Sequence, residues 1–237
     1  MATPNLGENP VNIDYVHGYT ANESTRLTDQ ATTLTELLHA DTRYPPGSLV
    51  LEAGFTNVAF RRADIFDLPC LPAHFDHVFV CFVLEHLPSP AGALEALLRV
   101  LKPGGSITVI EGDHGSAYFH PDSDHARRAI RCLVDLQQQA GGDSLIGRRS
   151  YPLLVQAGYR DVKVSPRMVY ADASRPALVD GFTRKTFTAM VEGVGEQAVG
   201  QGLMDAASWA AGIRDLYRTA EDDGTFCYTF FKAVGSR

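Results

Sequence analysis

A chain of 237 residues with 45% hydrophobic and 21% charged positions can bury one sizeable core and is too balanced for disorder, so a single α/β domain over residues 1–237 is expected. Its net charge of -7 argues against a nucleic-acid partner, because phosphate binding calls for clustered Lys and Arg, whereas Arg61-Arg62, Arg127-Arg128 and Arg148-Arg149 are isolated pairs that read as solvated surface. Four cysteines without CxxC spacing read as buried free thiols, with no metal site and no disulfide framework; with no long apolar run and no positively flanked leader, a cytoplasmic protein without membrane contact is expected.

In chain order, Leu27, Ala31, Leu34, Leu37 and Leu38 recur at helical spacing and predict a helix to His39 with that face packed. Residues 48–53 form a short apolar run between turn residues, as a buried strand does, and residues 58–64 alternate as a second strand. A loop with Pro69 and Pro72 leads to residues 77–84, apolar on both faces and so central in a sheet. Pro90 opens a helix whose apolar side carries Ala93, Leu94, Leu97, Leu98 and Leu101, Lys102-Pro103-Gly104-Gly105 stops it, and residues 106–111 form another buried strand. The polar run 113–124 reads as a loop and candidate lid, followed by helices over 125–140, 151–157, 176–192 and 205–221. Strands are expected at 161–166 and in the aromatic run 225–233, the last pair supplying an antiparallel edge to a largely parallel sheet. A cap contributed by about 113–157 and 170–222 follows from this order.

Four segments together resemble the class I S-adenosylmethionine-dependent methyltransferases, in particular the small-molecule type similar to ubiquinone and menaquinone biosynthesis enzymes. Leu49-Val50-Leu51-Glu52-Ala53-Gly54 looks like the start of that family's first motif, and Arg62-Ala63-Asp64-Ile65 like the site that holds the adenine edge. Phe75-Asp76-His77-Val78 through Leu84-Glu85-His86-Leu87 resembles its fourth strand and following turn, and Leu98 through Gly105 its helix and fifth-strand entry. The resemblance implies a Rossmann-like sheet with helices on both faces, S-adenosylmethionine as cofactor, and cofactor-binding roles for Tyr19, Glu52, Gly54, Asp64, Ile65, Phe82 and Val83.

After Gly54 the pattern breaks. A complete member would carry there further glycines, two helices and a strand ending in a ribose-binding carboxylate, roughly forty residues by ordinary element lengths. The sheet is therefore expected to lack the strand and helices that normally follow the first strand. A parallel crossover needs about a dozen residues or more, which residues 54–57 do not provide. Three geometries stay open: a hairpin at 54–57, residues 58–62 in the first strand's slot, or a sheet completed by a second chain as a homodimer.

Methyl transfer from a sulfonium is an in-line displacement that asks mainly for alignment and a dry pocket, with a base only where the acceptor loses a proton. Ligands of open α/β sheets bind at the carboxyl ends of strands, which makes Glu85, His86, Glu111, Asp113 and His114 candidates. His114, with Glu111, is expected to act as general base or orienting group, and His86 and His120 to bind substrate. Tyr118, Phe119, Tyr170, Phe182, Phe187 and Tyr228 would suit an aromatic or apolar small-molecule acceptor. Two alternatives stand beside methyl transfer: a non-catalytic relative that has lost the cofactor, and a donor-free lyase or cyclase on the same scaffold.

Overall fold

The computed structural model describes residues 21–51 and 61–237. After helix α1 (Ala21–His39) come strands β1 (Val50–Leu51) and β2 (Phe75–Cys81), a 3-10 turn (Leu84–His86), α2 (Pro90–Val100) and the long strand β3 (Leu101–His120). Then follow α3 (Asp124–Gln139), a second 3-10 turn (Ile146–Arg149), α4 (Ser150–Gln156) and β4 (Arg160–Ala171). A helical stretch of α5 (Pro176–Leu178), a π-helix (Val179–Thr188) and α6 (Ala189–Gly193) leads through α7 (Gly195–Gly200) and α8 (Ala206–Arg218) to β5 (Thr225–Ser236).

The five strands lie in the order β1-β2-β3-β5-β4. The first three are parallel, and β5 runs antiparallel to both β3 and β4. This is a Rossmann-like three-layer sheet. On one face α2 and α4 cover Val78, Val80, Ile107, Val109 and Ala233, and the Tyr159 hydroxyl donates to the Leu94 carbonyl at 3.0 Å. On the other face α1, α3, the π-helix and α8 enclose Ile110, Phe119, Phe226, Tyr228 and Phe230. Helix α2 forms where Pro90 sets the first turn; it buries Ala93, Leu94 and Leu97 as its spacing predicts, and Ala96 and Val100 besides, while Leu98 is only half-buried. Leu101 starts β3 rather than ending the helix.

Helix α1 is rotated from its predicted face. Leu34 and Leu38 are buried, but Leu27 and Ala31 are exposed and Arg26 is buried instead. Its C-terminal half decides the rotation, because Gly181 of the π-helix backs onto Thr33, and the His39 ring meets Phe79 at a tilt, with centroids 5.6 Å apart. Lys232 of β5, itself buried, reaches the helix end and donates to the Leu38 carbonyl (3.2 Å), Asp41 Oδ1 (2.5 Å) and Thr42 Oγ1 (2.7 Å). Those contacts satisfy a terminal helix carbonyl that would otherwise lack a partner.

The first strand holds its own slot. Val50 and Leu51 pair with His77 and Val78, and Asp76 is tied to Leu49 by backbone and side chain at 2.9 Å each. Of the expected second strand, residues 61–63 are irregular and Asp64 sits in a turn, while 58–60 lie outside the described residues. Among the described residues the sheet has five strands, β1 is its edge, and Val50 and Leu51 are only half-buried, so the buried strand expected there is corrected. A strand paired on one side alone has no second neighbour to cover it.

A second correction concerns residues 113–124. The polar run is not a loop up to Asp124, because β3 continues through it to His120. The ladder with β5 passes from Asp113↔Thr229 to Tyr118↔Cys227, so residues 114–117 form a bulge opposite Tyr228 alone. The aromatic strand β5 supplies the pairing that local composition did not announce. Ser116 Oγ closes the bulge by donating to the Asp113 carbonyl (2.7 Å) and accepting from Thr229 N (2.9 Å).

Candidate functional site at the carboxyl ends of β2 and β3

Strand β2 ends at Cys81, opposite Ile110 of β3, where the parallel ladder stops; Glu85 and His86 lie in the turn after β2, and Glu111, Asp113 and His114 in β3 beyond Ile110. Phe82 adopts a left-handed backbone with φ of 56°, an uncommon conformation for a residue with a Cβ, and its N–H donates to the Ile110 carbonyl at 2.9 Å. That turn carries the chain off the sheet and leaves Val83 exposed.

Glu111 lies beneath it, fully buried. Its Oε1 accepts from the backbone N–H groups of Leu84 (2.8 Å) and Val83 (3.1 Å) and so fixes the turn after β2. Burial, with the Glu85 carboxylate adding to it, pushes the Glu111 carboxyl well above its ordinary value despite those donors.

His114 opens the bulge and is 6% exposed. Its backbone N–H donates to the Ser144 carbonyl (2.9 Å), and its Nδ1 shares a hydrogen bond of 2.8 Å with the Tyr228 hydroxyl. A side chain on Gly112 would collide with that hydroxyl, which is why glycine stands there. Phe187 meets the imidazole edge-on at 6.0 Å, and Phe182 packs on Tyr228 at 5.5 Å. Desolvation holds Tyr228 well above its ordinary pKa, so it stays a neutral hydroxyl.

Asp113 has no room for a ligand. Arg148 grips it through two hydrogen bonds of 2.6 and 2.7 Å, and Gly115 N donates to it at 3.0 Å. The pair Arg148-Arg149 is thus not idle surface: Arg148 holds Asp113, and Arg149 holds Asp143 at 2.6 Å. His86 is partly exposed, with Nε2 at 3.6 Å from Glu85 Oε1. His120 is exposed at the far end of β3, opposite Thr225, and is not brought to His114. Of the aromatic set, Phe182, Phe187 and Tyr228 close on His114, Phe119 is buried against Phe226, and Tyr118 and Tyr170 face solvent. All four cysteines are free; Cys132 and Cys227 are buried, but Cys70 and Cys81 are only partly so.

Three of the positions expected to bind cofactor, Tyr19, Glu52 and Gly54, lie outside the described residues. Of the others, Asp64 is exposed and spends Oδ1 on the Phe66 N–H at 2.9 Å, while Ile65 packs on the α2 side of the core. A carboxylate, a backbone amide and the apolar Phe82 and Val83 are the kinds of group that hold an adenine edge and a ribose face, so the donor set fits a nucleoside in chemical type. When bound, S-adenosylmethionine supplies an activated methyl group.

Residues 11–109 match a family model described as a methyltransferase domain. An uncharacterised 37.1 kDa protein in a transposon of Streptomyces fradiae is 33% identical over 138 residues, which cover 57% of this chain and 39% of that protein. The ubiquinone/menaquinone biosynthesis C-methyltransferase of Pseudomonas fluorescens is 43% identical over 63 residues, 26% of this chain and 25% of that enzyme. Over the part that these matches cover, the chain resembles the class I S-adenosylmethionine-dependent methyltransferases. A solved S-adenosylmethionine-dependent methyltransferase from Thermotoga maritima aligns over 91% of this chain and 95% of its own, at 14% identity and a TM-score of 0.49. The chain spans 39% of the first curated relative and about a quarter of the second. Sequence reasoning missed the pairing of Tyr228 with His114 and of Arg148 with Asp113. The only signal for either was an unexplained polar group inside an apolar or charged run.

Proposed function

We propose that the protein transfers the methyl group of S-adenosylmethionine to a small aromatic or apolar molecule, in the cytoplasm, with His114 as the orienting group or base. The observation that carries this reading is the placement of His114: it is held in the bulge of β3, past the end of that strand's pairing with β2, by Tyr228, edge-on to Phe187, in the strand whose Glu111 fixes the turn after β2. A buried imidazole walled by aromatic rings can orient an apolar acceptor and exclude water, and alignment in a dry pocket is most of what a methyl displacement requires. Phe82, Val83, Asp64 and Ile65 would hold the nucleoside at the adjoining strand ends, together with Tyr19, Glu52 and Gly54. A homodimer could complete the edge at β1.

A second reading, a relative that has lost its cofactor, is favoured by one observation. In the sequence Gly54 is followed by Phe55-Thr56-Asn57, without the further glycines that let backbone approach a nucleotide. Calorimetric titration of the full chain with S-adenosylmethionine and its demethylated product, beside a Glu52→Ala control, decides between them. Micromolar binding, about -8 kcal/mol, that weakens in the control is the expected result. No binding by folded protein would establish the second reading in its place.

A further inference from the structure

Behind the candidate site three buried oxygens have no hydrogen-bond partner among the described residues: Glu111 Oε2, Gln137 Oε1 and Ser144 Oγ. Their residues are 0%, 2% and 1% exposed, so bulk water does not serve them. They belong to one neighbourhood. Gln137 Nε2 donates to Glu85 Oε2 at 3.3 Å, and the Glu85 carbonyl accepts from Asp143 N at 2.8 Å. The next residue, Ser144, offers its carbonyl to His114 N at 2.9 Å, and the Glu85 carboxylate lies close enough to Glu111 to raise its pKa.

Each unsatisfied buried polar atom costs about 1–3 kcal/mol. Gln137 and Ser144 come from α3 and the loop after it, and they face the end of β2 with polar atoms where apolar side chains would pack at no such cost. The set is rich in acceptors: two carboxyl groups, an amide oxygen and a hydroxyl. The Glu85 charge would repel a carboxylate or phosphate, whereas a group with several N–H donors and a positive charge would meet both that charge and the unpaired oxygens. The Glu85 side chain is 12% exposed and the adjoining His86 31%, so the neighbourhood reaches solvent on the side of the turn after β2.

We propose that Glu85, Glu111, Gln137 and Ser144 form a subsite for a protonated amino group of the methyl acceptor. The inference rests on the methyl-transfer reading and narrows it: the acceptor is an amine carried on an aromatic or apolar body, its charged end in this subsite and its apolar part toward Phe182 and Phe187. Glu85 supplies the counter-charge, and Gln137 and Ser144 supply directional acceptors.

Benzylamine and its neutral counterpart benzyl alcohol test the subsite by calorimetry on the full chain at neutral pH. Benzylamine is expected to bind at least about tenfold more tightly than benzyl alcohol, and Glu85→Gln to remove that preference while leaving the alcohol's affinity unchanged. Gln137→Leu serves as the second variant should Glu85→Gln fail to melt as a folded protein, and it too is expected to reduce the preference. Equal affinities in the parent chain, no detectable benzylamine binding, or a preference that survives both substitutions overturns the proposal. Cofactor titration of the same preparation keeps the two readings apart. Amine preference without S-adenosylmethionine binding supports the subsite and removes methyl transfer; the reverse result removes the subsite alone.

Discussion

Glu111 is where opposing forces meet most directly. Burial and the nearby Glu85 carboxylate raise its carboxyl, while the Leu84 and Val83 amides pull the other way and lose. A raised acid keeps its proton in the native state over a range where the unfolded chain, near its ordinary value of 4.5, has released it. The native state then binds more protons than the unfolded one, so stability falls as pH rises from that value through the raised pKa. Glu111→Gln keeps an oxygen for both amides and removes the charge. The variant is expected to melt at or above the parent's temperature at about pH 8, with a flatter dependence over about pH 5 to 8. Thermal melts across that range check it, and a variant that falls more steeply than its parent would contradict the account. The glutamate was legible in the sequence as a strand-end carboxylate; its role under the turn was not, because its two donors lie 27 and 28 residues earlier.

Elements show the same dependence on distant partners. The bulge at 114–117 exists because β3 gains a full partner in β5 on both sides of it, and because the charge of Asp113 at its edge is met by Arg148. The Asp113 side chain is 4% exposed, so removal of the guanidinium leaves a buried carboxylate without its counter-charge. Arg148→Met is expected to cost about 3 kcal/mol in urea unfolding, in the range for breaking a buried pair by deleting one member. It is also expected to loosen His114, whose position the bulge sets. A change within about 0.5 kcal/mol, the scale of an ordinary surface substitution, would show that the ion pair is mere surface. Helix α2 needed no such help, since its Pro90 start and apolar stripe are local signals. Helix α1 did, and the burial of Arg26 in place of Leu27 records a docking that its own periodicity could not specify.

At the scale of the whole molecule, β5 is the strand on which the C-terminal part is built. It joins β3 to β4 over its whole length and contributes Phe226, Tyr228, Phe230 and Ala233 to the two cores. Strand β1 contributes two half-buried residues paired on one side. Hydrogen exchange read by mass spectrometry is therefore expected to find the amides of β5 opening only with global unfolding and those of β1 exchanging by local opening. Equal protection in both strands would contradict that order. The two ends of the molecule also differ in ancestry signal, because the family model matches residues 11–109 and so stops within β3. Helices α3 to α8 and the residues that complete the candidate site, Gln137, Ser144, Phe187 and Tyr228, come after it.

The sequence by itself determined the alternation of strands and helices and the resemblance to class I methyltransferases over part of the chain. Apolar period, proline and glycine stops and short motifs are properties of neighbouring residues, and neighbours are all a linear reading sees. Only the tertiary structure decided that β3 runs on through a polar stretch, that β1 keeps its slot at the edge, that Arg148 guards Asp113 and that Tyr228 orients His114. Those outcomes depend on partners as far as 114 residues away along the chain. A polar residue is buried or exposed according to whether such a partner satisfies it, and nothing local to it carries that information.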